Sequence, residues 1–227
     1  MVLLVAAGLF IRSLGNAQAV DLGFEEEKIA FVSTNLDMMG YTNQQGHQYL
    51  RTLAERVASL PGVQSISYTE RVPLNLTTAS QDFTIEGYEP PSGEEEVTVQ
   101  YGSVGPGYFE TMGIPLVSGR EFTEADAEGA PQVVIVNQEF ARRFWPGENP
   151  LGKRISAEGR DGPWIEVVGV SADYKVITVG EEPRPFVQLA FLQQDPFFQA
   201  LVVRTVSDPG PMVSMVRREM LALDRET

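Results

Sequence analysis

Between residues 105 and 155, glycine and proline cut the chain into pieces too short for anything but brief strands and helical turns. This punctuation limits the fold more than any other feature. Gly105-Pro106-Gly107 opens a turn, and Tyr108, Phe109 and Met112 follow at helical spacing. Gly113 suits the left-handed residue that ends a helix, and Pro115 blocks continuation. Residues 114–117 form a short strand-like run closed by Ser118-Gly119. Residues 133–136 (VVIV) form an apolar run of buried-strand length. Asn137 is an N-cap for a helix that carries Phe140 and Phe144 one turn apart, and Trp145-Pro146-Gly147 ends it.

The flanking segments set the fold class. Residues 29–36 (IAFVSTNL) read as a strand. Thr42 and Gln45 have capping-box spacing, and Leu50, Leu53, Val57 and Leu60 then make one apolar stripe, stopped by Pro61-Gly62. Residues 63–69 are the next strand, so this is a β-α-β unit, right-handed if its strands are parallel. Phe83 and Ile85 alternate with Thr84 and Glu86, which predicts a strand with one buried face. Val97, Val99 and Tyr101 alternate with Thr98 and Gln100, and the two segments read as an antiparallel hairpin. Residues 153–158, 164–170, 186–192 and 200–206 are further strands. Asp208 and Pro209 open a last helix with Met212, Val216, Met220 and Leu223 on its stripe. The first β-α-β and the last β-α are complementary halves. The expected class is α+β, with one subdomain built from residues 25–104 and 193–227 and a mixed α/β lobe, residues 105–192, inserted in it.

Composition excludes several functions. With 17 basic and 31 acidic residues the net charge is −14, which opposes binding to nucleic acid or to an anionic membrane surface. There is no cysteine, hence no disulfide and no thiolate metal site. No P-loop and no G-x-S-x-G elbow occur, and His47 is the single histidine. The runs Glu25-Glu26-Glu27 and Glu94-Glu95-Glu96 lack the spacing of a hard-cation loop and read as solvated surface. No catalytic residue, metal ligand or cofactor site is expected. A hydrolase using buried carboxylates is the enzymatic rival. It requires a deep pocket and strongly shifted carboxylates.

The order PGYFETMGIPLVSGREFTEAD, then VVIVNQEFARRFWPGENPLGKRI, then WIEVVGV, resembles the extracytoplasmic core domain of MacB/FtsX-type ABC transporter permeases, in particular the duplicated orphan permease branch that lacks a fused ATPase. The resemblance implies a porter-like subdomain interrupted by a sabre-like lobe. It also implies a non-catalytic, mechanical role on the periplasmic side of the inner membrane. The implied partners are a cytoplasmic ABC ATPase subunit, a second permease copy or half, and a periplasmic adaptor. Residues 1–11 (MVLLVAAGLFI) would rise about 16 Å as a helix, half a bilayer core. In the light of the resemblance, residues 1–24 are expected to be the end of a transmembrane helix and its exit segment. A stand-alone ligand-binding module is the second rival. Contact residues for a partner or substrate are expected at Met38 and Met39, which adapt to varied surfaces. Others are expected at Arg142, Arg143 and Trp145, and at Phe197 and Phe198. Phe140 and Phe144 are expected in the core.

Overall fold

The computed structural model describes residues 21–36, 40–91, 93, 95–195 and 198–224. The expected transmembrane end, residues 1–20, lies outside them. Among the described residues no helix is long and apolar enough to cross a membrane.

Strand β1 (Ile29–Asn35) leads to helix α1 (Asn43–Ala58) and strand β2 (Val63–Thr69). The capping box is formed: the Thr42 side chain accepts the Gln45 N–H, and the Gln45 side chain accepts the Thr42 N–H at 2.9 Å. β1 and β2 are not paired. Strand β10 (Phe198–Thr205) lies between them, antiparallel to both. The terminal halves thus interleave into one three-stranded layer. Helices α1 and α4 (Gly210–Asp224) cover one face of that layer. Leu50, Leu53, Val57, Met212 and Val216 are buried there, each contributing about 1.5–3 kcal/mol if removed fully from water.

The remaining strands are β3 (Ala79–Ile85), β4 (Val97–Val104), β5 (Leu116–Gly119), β6 (Val133–Asn137), β7 (Arg154–Ser156), β8 (Ile165–Ser171) and β9 (Phe186–Ala190). Six of them close into a ring, β4-β3-β7-β8-β6-β9, because β4 also pairs with β9 in parallel, Gln100 opposite Phe186 through Val104 opposite Ala190. β5 attaches to β8. The ring joins the three-stranded layer through a single strand pair, Thr69 opposite Val104. Helix α3 (Gln138–Phe144) packs Phe140 and Phe144 into the ring core with Phe83, Ile155 and Val187. The short helix α2 (Tyr108–Met112) fills the space between ring and layer with Ile135, Tyr174 and Val202.

Three details differ from expectation. The hairpin β3–β4, expected with the subdomain of residues 25–104 and 193–227, pairs with β7 and β9 and so belongs to the ring. Thr84 is buried along with Phe83 and Ile85, so β3 is covered on both sides at its end. There Thr84 faces Ser156 across the β3–β7 pair, and Ser156 is buried too. Strand β5 starts at Leu116, two residues later than Ile114. Gly113 and Ile114 are used to close α2, donating to the carbonyls of Glu110 at 3.1 Å and Phe109 at 2.8 Å.

At Gly119, φ is +80°, and an added Cβ would lie 2.2 Å from the Val168 carbonyl. The strand pair β5–β8 has no room for it. Gly119→Ala is expected to cost about 3 kcal/mol or more, against about 1 kcal/mol for Gly87→Ala, which has positive φ but open space. Urea unfolding of both variants checks this, and equal losses would contradict it.

Candidate functional site

Residues 21–25 are fastened to both halves of the molecule. The Leu22 carbonyl accepts the Lys175 N–H at 2.8 Å, and the Glu25 N–H donates to the Met112 carbonyl at 2.9 Å. Gly23 has φ +77°, and an added Cβ would fall 2.7 Å from the Asp173 carbonyl oxygen, so the backbone of 21–25 lies directly on the 173–175 loop. Phe24 meets the edge of Tyr174, with ring centroids 6.5 Å apart. On the layer side, Arg204 of β10 is only 6% exposed. Its Nη1 donates to Glu25 Oε2 at 2.6 Å and its Nε to the Thr111 carbonyl at 2.7 Å. An exposed carboxylate ahead of β1 is thereby held by a cation that emerges between layer and α2.

A chain of hydroxyls runs beneath this clamp. Tyr108 bonds Thr69 of β2 and Tyr174, and Gln188 Nε2 of β9 donates to the Tyr174 hydroxyl. Burial pushes both tyrosines above the usual phenol range, so they stay protonated donors throughout the physiological range. The chain spans β2, α2, the 173–175 loop and β9. It crosses the junction where strand pairing contributes least.

Asn137 completes the connection to α3. Its Oδ1 accepts the N–H groups of Phe140 at 3.1 Å and Phe186 at 2.8 Å. Its Nδ2 donates to Asp173 Oδ1 at 2.6 Å and to the Arg184 carbonyl at 2.8 Å. Asp173 also takes the Glu139 N–H at 3.0 Å. Burial raises the Asp173 carboxyl above the ordinary carboxylate value, with the nearby Glu139 charge adding to it. Glu121 is raised by burial as well, and its carboxylate accepts the Phe109 N–H at 2.7 Å. Both shifted carboxyls hold backbone amides, each at a different place.

The expected contact residues are not brought together. Arg142 is exposed and forks onto Glu139, with Nη2 at 2.5 Å and Nε at 2.8 Å. Arg143 lies along a different groove, shared with Ser80, Gln100 and Arg184. The expectation for Trp145 is corrected. It is 2% exposed, packs against Phe140 at 5.4 Å and donates its indole N–H to the Glu86 carbonyl at 2.8 Å. The end of α3 turns it into the ring core. Met38, Met39, Phe197 and the Phe198 side chain lie outside the described residues. His47 is half-buried beside Phe191, with Nε2 3.0 Å from the Gln194 carbonyl, and burial lowers its pKa. Glu25, Tyr108, Asn137, Tyr174, Gln188 and Arg204 form the junction, and sequence reasoning assigned it to none of them. The one available signal was Arg204 inside an otherwise apolar strand, since a charge seldom lies there unpaired.

This architecture is that of known ABC transporter extracytoplasmic domains. The periplasmic region of MacB from Actinobacillus actinomycetemcomitans superimposes with a TM-score of 0.58 at 15% identity, covering 89% of this chain and 86% of that one. The extracellular domain of the noncanonic ABC-type transporter YknZ from Gram-positive bacteria gives 0.50 at 16% identity, over 77% of this chain and 81% of that one. The chain belongs to the MacB-like periplasmic core domain family, whose pattern matches residues 2–213. Among curated relatives, the "Probable syringafactin export ATP-binding/permease protein SyfD" of Pseudomonas syringae pv. tomato is 30% identical over 113 residues, 46% of this chain and 16% of that protein. The "Macrolide export ATP-binding/permease protein MacB" of Aggregatibacter actinomycetemcomitans is 34% identical over 76 residues, 34% of this chain and 11% of that protein. The matched region thus spans about one sixth or less of these relatives.

Two carboxyls predict opposite pH responses. Asp173 is raised in the fold, so its contribution is full below the unfolded value and is lost as pH rises through the folded one. Asp126 is held low by hydrogen bonds from Arg120, at 2.7 and 2.8 Å, and from Thr123. Its contribution is present above the unfolded value and is lost as pH falls through the folded one. Urea unfolding between about pH 3 and pH 7 should therefore show Asp126→Asn costing roughly 1–2 kcal/mol at neutral pH and little in acid. Asp173→Asn should be at least as stable as the parent at neutral pH and lose that relative standing in acid. The reverse trends would contradict these assignments.

Proposed function

We propose that this chain is the extracytoplasmic domain of an inner-membrane ABC transporter permease, acting mechanically and without chemistry of its own. ATP is hydrolysed by a cytoplasmic partner subunit. Motion of the membrane-spanning part enters through residues 1–24, which we read as a transmembrane end and its exit segment. It leaves through the surfaces facing a second permease copy and a periplasmic adaptor. The relatives are named for export of a syringafactin and of macrolides, and export is the direction carried over here.

The observation that carries this reading is the clamp on residues 21–25. A segment that merely tethered the domain would need no fixed geometry. This one is bonded to Met112, Arg204 and Lys175 at once, and Gly23 leaves it no clearance from the 173–175 loop. A pull on the segment therefore loads the three-stranded layer and the six-stranded ring together. We take these as the two bodies, porter-like and sabre-like, turning about the Thr69–Val104 connection as packed units.

The test places Gly23→Val in the full-length permease with its ATPase. Export should fall by about tenfold or more, while basal ATP hydrolysis and protein abundance stay within about twofold, as expected for a coupling loss of roughly 1.4 kcal/mol or more. Parental export from a normally abundant variant would contradict the clamp's role.

A further inference from the structure

The groove beside α3 carries an unused pair of cations. It measures about 450 Å³ and is lined by Arg143, Arg184, Ser80, Gln100, Tyr88 and Val97 among others. In a chain of net charge −14, arginines are expected to find carboxylates. Arg71, Arg120, Arg142, Arg154, Arg160 and Arg204 all do. Arg143 and Arg184 have no ion pair among the described residues, and neither have Arg51, Arg217 and Arg218, but Arg143 and Arg184 line one groove. Asp82, which lies opposite Thr98 on the β3–β4 pair, accepts the Thr98 hydroxyl at 2.6 Å.

The backbone segments that carry the two arginines are held from below. Asn137 caps α3, which carries Arg143, and the same side chain donates to the Arg184 carbonyl. Arg143 rests against the Phe144 ring, 5.7 Å from its centroid, and Phe144 is fixed in the core. One amide thus sets the backbone position of both arginines. The rest of the wall is mixed: the Tyr88 ring, Val97 and Pro185 are apolar, while Ser80 and Gln100 supply hydrogen-bonding groups. The volume lies in the range of small-molecule sites.

We propose that this groove binds a small amphipathic carboxylate, with the carboxylate forked by Arg143 and Arg184 and the apolar body against Tyr88 and Val97. Planar guanidinium groups match a carboxylate in geometry as well as charge. The site is distinct from the clamp, and binding to the isolated chain does not depend on the export reading.

Calorimetric titration of the full chain with decanoate, below its micelle-forming concentration, tests this. Binding should saturate at one site and weaken as salt is raised. It should fall about tenfold or more in Arg143→Ala/Arg184→Ala and stay unchanged in Arg217→Ala/Arg218→Ala, whose arginines lie exposed on α4. All these arginines are exposed, so melting temperatures should stay near the parent's. Equal affinity for uncharged decanamide, or full affinity in the Arg143/Arg184 variant, would overturn the proposal. Tighter binding of hexaglutamate than of decanoate, lost in the same variant, would assign the groove to an acidic protein segment and overturn the small-carboxylate reading.

Discussion

A guanidinium buried in a sheet is the constraint on which the junction depends. Arg204 follows Val202 and Val203, both fully buried. Its charge is tolerable only because Thr111 and Glu25 receive it. Taking one partner from a buried charge costs several kcal/mol as a rule, though the exposure of Glu25 lowers that figure here. The arrangement also dictates a glycine. An added Cβ at Gly113 would fall 3.2 Å from Arg204 Nη2, and Gly113 already needs φ +69° to end α2. The end of α2, the buried cation and Glu25 therefore form one connected unit.

From that unit the hydrogen-bonded route across the junction is short. Residues 21–25 lie on the 173–175 loop, Asp173 holds Asn137, and Asn137 holds both α3 and the start of β9. On the other side Glu25 is bonded to α2 and β10. The tyrosine chain from Thr69 to Gln188 ties these routes together beneath the surface. Ring and layer share a single strand pair, so the apolar cluster around α2 and the side-chain hydrogen bonds together carry much of the connection.

Local chemistry in the chain predicted the local structure. The capping box at Thr42 and Gln45, the Asn137 cap, the glycine end of α2 and the buried runs at β6 and β8 were all legible, because each depends on residues within a turn of one another. Ring closure was not. The parallel pairing of Gln100 with Phe186 joins distant segments, and nothing in either strand names the other. The same gap explains Trp145. An aromatic at a helix end reads as exposed or buried only once the ring that receives it is known. It also hid the groove shared by Arg143 and Arg184, since the two residues are far apart in the chain. The resemblance read from residues 105–170 reached the family, which no single local motif would have done.

Residues 21–25 are part of the folded domain and not a flexible leash. Hydrogen exchange at the Glu25 and Lys175 amides in the full-length permease tests this most directly. Both amides make bonds only within the clamp, to Met112 and Leu22. Protection comparable to that of β10, in the presence and absence of nucleotide, is the predicted result. Exchange at the rate of unstructured chain would contradict the account.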